Sequence, residues 1–344
     1  MGGAQFQAQL LTEHLLSLGC FDIHFLARRI ANNFTPEGYT IHKIGSSTGP
    51  GFLFDARNLL RTLNTIRPHT IYQHVGCAYT GISAYYCKRH TCNLVWHIAS
   101  DIDVERAHFS LPGHFSLHYL DKKILEYGLR NAKFIVGQTQ HQASLIKNNY
   151  HRELTDLVRN FHPLPCEALE KDEQVKVLWI ANIKKIKQPE LFLKLADDLS
   201  HLNAQFIMMG GAQGEATWRD KTISKMKITP NINYLGALPQ NEVNSLLATS
   251  HLLVNTSQYE GFSNTFIQAW MRRVPVISYN VDPDQLLNET GLGACAEGDY
   301  QRLVKQLEEL ILDGAKRDKM GLKAQKYANE FHSEKNVERL VSLF

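Results

Sequence analysis

The chain has 344 residues, 44% of them hydrophobic and 21% charged, with a formal net charge of +3. That length suits roughly two domains, the apolar content is ordinary for a globular protein, and no apolar run approaches the roughly 20 residues of a membrane span. A charge so mild and dispersed does not point to nucleic acid, although a locally basic face can still meet an anionic membrane surface. The Met-Gly-Gly start has no apolar core behind a basic segment and so is no secretory signal. Six cysteines without a CxxC pair or regular spacing read as reduced thiols of a cytosolic protein. Among the sixteen histidines none stands out as part of a metal site, and most read as surface or satisfied core residues.

In chain order, Gly2-Gly3-Ala4 leads directly into a helical pattern over Gln5–Leu18, with Phe6, Leu10, Leu11, Leu15 and Leu18 on roughly one face. Gly19 ends it. Strand patterns follow at Phe21–Ala27 and Tyr39–Ile44, a Ser/Thr/Gly loop at Gly45–Gly51, and a helix at Leu53–Ile66. Next come a strand at Thr70–His74, a small-residue helix at Ala78–Arg89 and a strand at Asn93–His97. The first half closes with a helix at Leu120–Leu129, a strand at Phe134–Gln138, a helix at Gln140–Asn148 and a strand at Asp156–Asn160. Phe161–Glu173, with two prolines and several charges, has linker composition. The expected domains are therefore 1–165 and 166–330, with a C-terminal helix over 331–344.

The second half opens on a strong strand, Val175–Ala181, followed by Asn182 and three lysines (184, 185 and 187) before a helix at Leu191–Leu199. A strand at Gln205–Met209 runs into Gly210-Gly211, and Asn233–Leu235 with Gly236 forms another short strand and turn. A helix at Glu242–Thr249 precedes the most informative stretch, Leu252 to Tyr279. This reads as a strand (Leu252–Asn255), a polar loop (Thr256–Glu260), a break at Gly261, a helix over Phe262–Met271 and a strand over Val274–Tyr279. Helices at Val304–Leu312 and Ala315–Glu330 follow, and a Ser333 cap opens the last one. Alternating strands and helices in two halves imply two doubly wound α/β domains.

In a parallel α/β sheet, the loop after a strand and the start of the next helix attract phosphate, because free N–H groups and the positive helix end lie there. Ser263, Asn264 and Thr265 would open such a helix, behind Gly261 and Phe262. Glu260 and Gln268, eight residues apart, complete an acidic-x7-amide spacing with a Glu-Gly-Phe turn at its head. This stretch resembles the donor-sugar signature of the family-4 (group 1) retaining glycosyltransferases, which normally has Glu at both ends. An amide at Gln268 can still accept from and donate to ribose hydroxyls.

The resemblance implies the GT-B fold, two Rossmann-like domains with a nucleotide-sugar donor held mainly by the second. It places Glu260 on the sugar hydroxyls, Gln268 on the ribose, and Lys187 on the diphosphate. The family has an Arg where this chain has Asn182, a departure that Lys184 or Lys185 can offset. Gly210 and Gly211 match the family's glycine turn, and Leu235 matches the place where the base stacks on main chain. In the first half the match rests on Gly2-Gly3-Ala4, near the donor phosphate or acceptor, and on His97 with Ser100 and Asp101, the histidine facing the donor sugar. The family's glycine turn follows a first strand, and none precedes Gly2, so the first domain is expected to lack that strand through truncation or a misplaced start. The alternative is that Gly2-Gly3 is a flexible terminus.

The expected activity is metal-independent glycosyl transfer, with retention, to a glycan or lipid-linked acceptor hydroxyl, in the cytoplasm and with peripheral membrane contact allowed. No cofactor is implied beyond the nucleotide-sugar co-substrate. The competing readings are a GT-B epimerase or phosphorylase, and a non-catalytic nucleotide-sugar-binding protein, which Asn182 and Gln268 favour. A nicotinamide dehydrogenase is disfavoured because no GxGxxG follows a strand.

Overall fold

The computed structural model describes residues 3–30, 35–45, 51–106, 117–211 and 215–344. They divide into two compact units, one of Met1–Arg159 with Lys335–Phe344 and one of Asn160–Glu334.

The first unit begins with helix α1 (Gly3–Leu18), which buries Leu11 and Leu15 and ends at Gly19, whose φ of +66° is open to glycine at no steric cost. Strands β1 (His24–Ala27) and β2 (Thr40–Lys43) follow, then α2 (Gly51–Ile66), β3 (Thr70–His74), α3 (Ala78–Cys87) and β4 (Asn93–His97). A short α4 (Asp101–Val104) precedes α5 (Leu117–Asn131), β5 (Phe134–Gly137), α6 (Gln140–Tyr150) and β6 (Asp156–Leu157). All pairings are parallel, but the strands form two sheets, β1-β2 and β3-β4-β5-β6, rather than one. β4 is the buried strand of the larger sheet, its Leu94, Val95 and Trp96 almost fully enclosed. Helices α3 and α5 pack backbone to backbone, because a Cβ on Gly81 would lie 2.0 Å from the Ile124 carbonyl oxygen.

The second unit holds β7 (Val175–Ile180), α7 (Pro189–Asp198), β8 (Ala204–Met209), α8 (Ala216–Ile228), β9 (Ile232–Tyr234) and α9 (Gln240–Thr249). It continues with β10 (Leu252–Asn255), α10 (Asn264–Met271), β11 (Val276–Ser278), β12 (Gly293–Cys295), α11 (Tyr300–Leu312) and α12 (Gly314–Phe331). The last helix, α13 (Lys335–Val341), belongs to the first unit. Six parallel strands run in the order β12-β11-β10-β7-β8-β9. Alternation along the strands sends Val177 and Trp179 to one apolar layer and Leu178 to the other, so helices cover both faces. The strand order reverses between β7 and β10. In sheets of this kind the crevice beyond that reversal, at the carboxyl ends, is the place for a ligand.

Three elements escape the sequence patterns, the short helix α4, helix α8 and strand β12. Several others are shorter than their apolar patterns suggest. The β11 strand covers Val276–Ser278 rather than Val274–Tyr279, β6 stops at Leu157, and α10 starts at Asn264, leaving Phe262 in the loop.

Candidate functional site

The loops after β7 and β10 meet at the reversal of strand order. After β7 the chain turns through a 3-10 segment, Lys185–Lys187, and Gln188 adopts a left-handed φ of 44° before Pro189 opens α7. Two cross-links tie this loop to the one after β10. The Gln258 N–H donates to the Ile186 carbonyl at 2.9 Å, and the Thr256 hydroxyl donates to the Lys187 carbonyl at 2.6 Å. Thr256 in turn accepts the indole N–H of the buried Trp179 at 2.9 Å. A core tryptophan on β7 therefore fixes the backbone of Lys187.

The Lys187 ammonium lies 2.9 Å from Glu260 Oε1, with side chains only 21% and 16% exposed. The same oxygen accepts from Asn255 Nδ2 at 2.8 Å and from Ser257 Oγ at 2.6 Å. Asn255 is itself held, its Oδ1 accepting the Ser257 N–H at 3.0 Å in an Asx turn. Burial, the largest influence, would push the Glu260 carboxyl up; Lys187 together with the three hydrogen bonds outweighs it and holds the carboxyl below its ordinary value. The donors converge on Oε1, so Oε2 is left to accept from a ligand. Asn255 and Ser257 are not singled out by the acidic-x7-amide spacing. Their sequence signal is an Asn closing a strand with Ser two and Glu five residues on.

Beside this pair, Ser263 stands at the N-cap position of α10 without a side-chain capping bond, and its hydroxyl lies 3.0 Å from that of Thr265. Asn264 Oδ1 accepts from Asn160 Nδ2 and lies 3.2 Å from His162 Nε2. Gln268 is 5% exposed on α10, and its side-chain amide makes no hydrogen bond among the described residues. Gly261 is buried in the loop. Phe262 is a core residue, its ring packed edge-on to Trp270 and 4.7 Å from the His332 ring. Its expected donor contact can come only from its backbone.

A second group gathers at the carboxyl ends of β7, β8 and β9. Gly210 N donates to the Gly236 carbonyl, the Tyr234 hydroxyl donates to the Gly210 carbonyl, and Ile183 N donates to the Gly211 carbonyl. Asn182 Oδ1 lies within 3.6 Å of where a Cβ on Gly211 would stand. Leu235, next to Gly236, is 38% exposed. Asn182, Gly210, Gly211 and Leu235 thus share one patch, while Lys187, Glu260 and the start of α10 share another. Lys185 is spent on an exposed pair with Glu215.

The first unit's candidates are placed differently. His97 ends β4 and is 3% exposed. Its Nδ1 lies 3.0 Å from the Tyr72 hydroxyl and its Nε2 lies 3.0 Å from the Val158 carbonyl. Both ring nitrogens are therefore committed, and burial lowers the imidazole pKa to about 4. Asp101 accepts from Gln142, and Asp103 accepts from the N–H groups of Ala99 and Ser100. Gly3 is the first residue of α1, and Gly2 lies outside the described residues. Among the described residues no group of three or more His, Cys, Asp or Glu side chains is placed to hold a metal ion.

Residues 165–327 match the family model described as "Glycosyl transferases group 1". The chain is 27% identical over 146 residues to the capsular polysaccharide biosynthesis glycosyltransferase CapM of Staphylococcus aureus, a match covering 41% of this chain and 38% of CapM. Its fold is similar to that of WaaG, a glycosyltransferase involved in lipopolysaccharide biosynthesis, with a TM-score of 0.78 and 14% identity over 100% of this chain and 96% of WaaG. It is also similar to Anabaena HepE in complex with UDP-glucose, with a TM-score of 0.69 and 17% identity over 88% of this chain and 85% of HepE. The chain has the GT-B fold, and its residues 165–327 are similar to the group 1 glycosyltransferases.

Proposed function

We propose that the protein transfers a sugar from a nucleoside-diphosphate donor to a hydroxyl acceptor with retention. The observation that carries this reading is the Lys187–Glu260 pair, held at the reversal of strand order beside the start of α10. In the reaction the bond from the sugar's anomeric carbon to the diphosphate oxygen breaks and the acceptor oxygen bonds to that carbon on the same face. The acceptor's proton passes to the departing diphosphate. Charge develops on that diphosphate, so a preorganised cation and backbone N–H groups supply most of the acceleration. Lys187 and the amides of Ser263–Thr265 fill these roles without a metal. Glu260 receives sugar hydroxyls on Oε2, and Gln268 holds the ribose with its uncommitted amide. Proton transfer is not assigned to the His97 imidazole, since both its nitrogens are engaged.

CapM and WaaG act in capsular polysaccharide and lipopolysaccharide biosynthesis, and HepE binds UDP-glucose. They support a hexosyl donor carried on UDP and a glycan acceptor; a lipid-linked acceptor and work in the cytoplasm at a membrane surface are our proposal. Among the described residues no helix is long and apolar enough to cross a membrane, so contact with a lipid-linked acceptor would be peripheral.

Thermal unfolding with UDP, GDP, ADP and NAD tests the donor site. A ligand at about 100 times its dissociation constant adds roughly 2.7 kcal/mol, which raises the midpoint by roughly 5–10 °C for a unit of this size. UDP should produce that shift and NAD none. A shift with NAD alone, or with none of the four, overturns the reading.

A further inference from the structure

Cys87 is the last residue of helix α3, and Cys92 stands just before strand β4. Backbone hydrogen bonds hold both ends of the turn between them. At the helix end the Lys88 N–H donates to the Ala84 carbonyl and the Arg89 N–H to the Tyr86 carbonyl. At the strand end the Cys92 N–H donates to the His90 carbonyl and the Asn93 N–H to the His69 carbonyl. The chain folds back so that the two sulfurs lie 3.3 Å apart, the Cys87 thiol donating to Cys92 Sγ. Both are free thiols and half-buried, whereas Cys20 and Cys166 are exposed and Cys295 is buried.

The contact gives the two sulfurs different chemistry. Their shared hydrogen bond pushes the Cys87 thiol up, and burial adds to it. The same bond holds the Cys92 thiol down, although burial pulls the other way. Cys92 is thus the better source of a thiolate, and Cys87 stands where a resolving thiol must stand. To bond, the sulfurs close by roughly 1.3 Å, to the about 2.05 Å of a disulfide. On one side they pack against the apolar cluster of Ile44, Leu59, Leu63 and Tyr86. On the other, Lys88, Arg89, His90 and Thr91 are all exposed, so a small molecule reaches the pair across a basic turn. Such a turn draws in a disulfide that carries carboxylates.

We propose that Cys87 and Cys92 form a reversible thiol–disulfide site that reacts with small anionic disulfides of the glutathione class and whose closure stiffens the α3–β4 turn. The Cys92 sulfur attacks one sulfur of the small disulfide and expels the first small thiolate. The Cys87 sulfur, its proton passing to solvent, then attacks the Cys92 sulfur of the mixed disulfide and expels the second. Two S–H bonds of the protein and one S–S bond of the small molecule break; one S–S bond of the protein and two S–H bonds of the small thiol form. Two electrons pass from the pair to the small disulfide. The bridge lies at the Asn93 end of β4, the opposite end from His97, and is independent of the donor site.

The test uses the full chain carrying Cys20→Ser and Cys166→Ser, which removes the two exposed thiols. Excess oxidised glutathione should give a protein lighter by two hydrogens, with the peptides that hold Cys87 and Cys92 linked, and dithiothreitol should restore the starting mass. The closed form should unfold about 4–8 °C higher, because the bridge restricts the unfolded chain. Added salt should slow closure by screening the turn. Adding Cys87→Ser should trap one glutathione on Cys92, while adding Cys92→Ser should slow capture at Cys87 about ten-fold. A stable mixed disulfide in the chain with both thiols, no reaction at either cysteine, capture equally fast in the two serine variants, closure indifferent to salt, or a closed form no more heat-resistant than the open one would each overturn the proposal.

Discussion

Alanine in place of Lys187 is expected to slow sugar transfer by about 100- to 1,000-fold, the range found when one preorganised group facing developing charge is removed. Two losses combine. The departing diphosphate loses its cation, and Glu260 loses the partner that offsets its burial. Burial is the largest influence on that carboxyl, so without the ammonium its pKa rises and the anion that orders the sugar hydroxyls is less complete at neutral pH. The pair also contributes to stability, with a defined pH sense. The Glu260 value is lowered from 4.5 in the native state, so its contribution is full above that pH and falls away as pH drops through the lowered native value. Release of nucleoside diphosphate, measured with whichever nucleotide sugar protects the protein, reads the effect. A rate within about three-fold of wild type would remove Lys187 from the reaction.

The second large effect is expected at Gly210. A Cβ there would stand 1.7 Å from the Ala181 carbonyl oxygen and 2.7 Å from its carbon, with φ at +156°. The clash is with backbone just past the end of β7, and it cannot relax by a side-chain turn. Its own N–H is bound to Gly236 and its carbonyl to Tyr234, so the segment is held from both sides. Gly210→Ala should therefore cost about 3–5 kcal/mol, near the top of the range for single substitutions. Gly236→Ala serves as the comparison. It has φ of +73° but nothing within 4 Å, so only conformational strain of about 1 kcal/mol applies. Urea midpoints would show the difference. Equal losses at the two positions would refute the steric account.

Much of the fold can be read from the residues alone, and particular failures show why the rest cannot. Thr70–His74, Asn93–His97 and Leu252–Asn255 are strands with the bounds their patterns suggest, because each is a short run with β-branched or aromatic residues between helical or turn segments. Helix α8, ATWRDKTISKMKI, buries only Thr222 and Met226, so it carries almost no apolar face by which to recognise it. β12 is Gly-Ala-Cys, three residues of weak strand propensity that owe their conformation to pairing with β11. The two-sheet arrangement of the first unit is invisible for another reason, since pairing between distant segments is not encoded in the periodicity of either.

At the proposed site, the resemblance points to Glu260, Gln268 and Lys187 but not to the side chains that hold Glu260. Asn255 and Ser257 look like turn formers in sequence, and their role emerges only when both are seen bonded to Glu260. The reverse happens with Phe262 and His97. Each stands at a position that suggests ligand contact, yet the ring of one is in the core and the imidazole of the other is occupied by Tyr72 and Val158. Residue type and position state what a side chain can do; its hydrogen-bond partners decide what it is still free to do.

The link from Trp179 through Thr256 to the backbone of Lys187 gives the protein a built-in optical probe. Trp96 and Trp270 are equally buried, but their indole N–H groups have no partner among the described residues. Trp179 alone of the three has its indole N–H tied to the loop that bears the lysine. A diphosphate that draws Lys187 away from Glu260 pulls on that loop and changes the field at one indole. Tryptophan emission should change when UDP is added, and the change should vanish in Trp179→Phe, so that occupancy of the nucleotide site can be followed without a label and without knowing the acceptor.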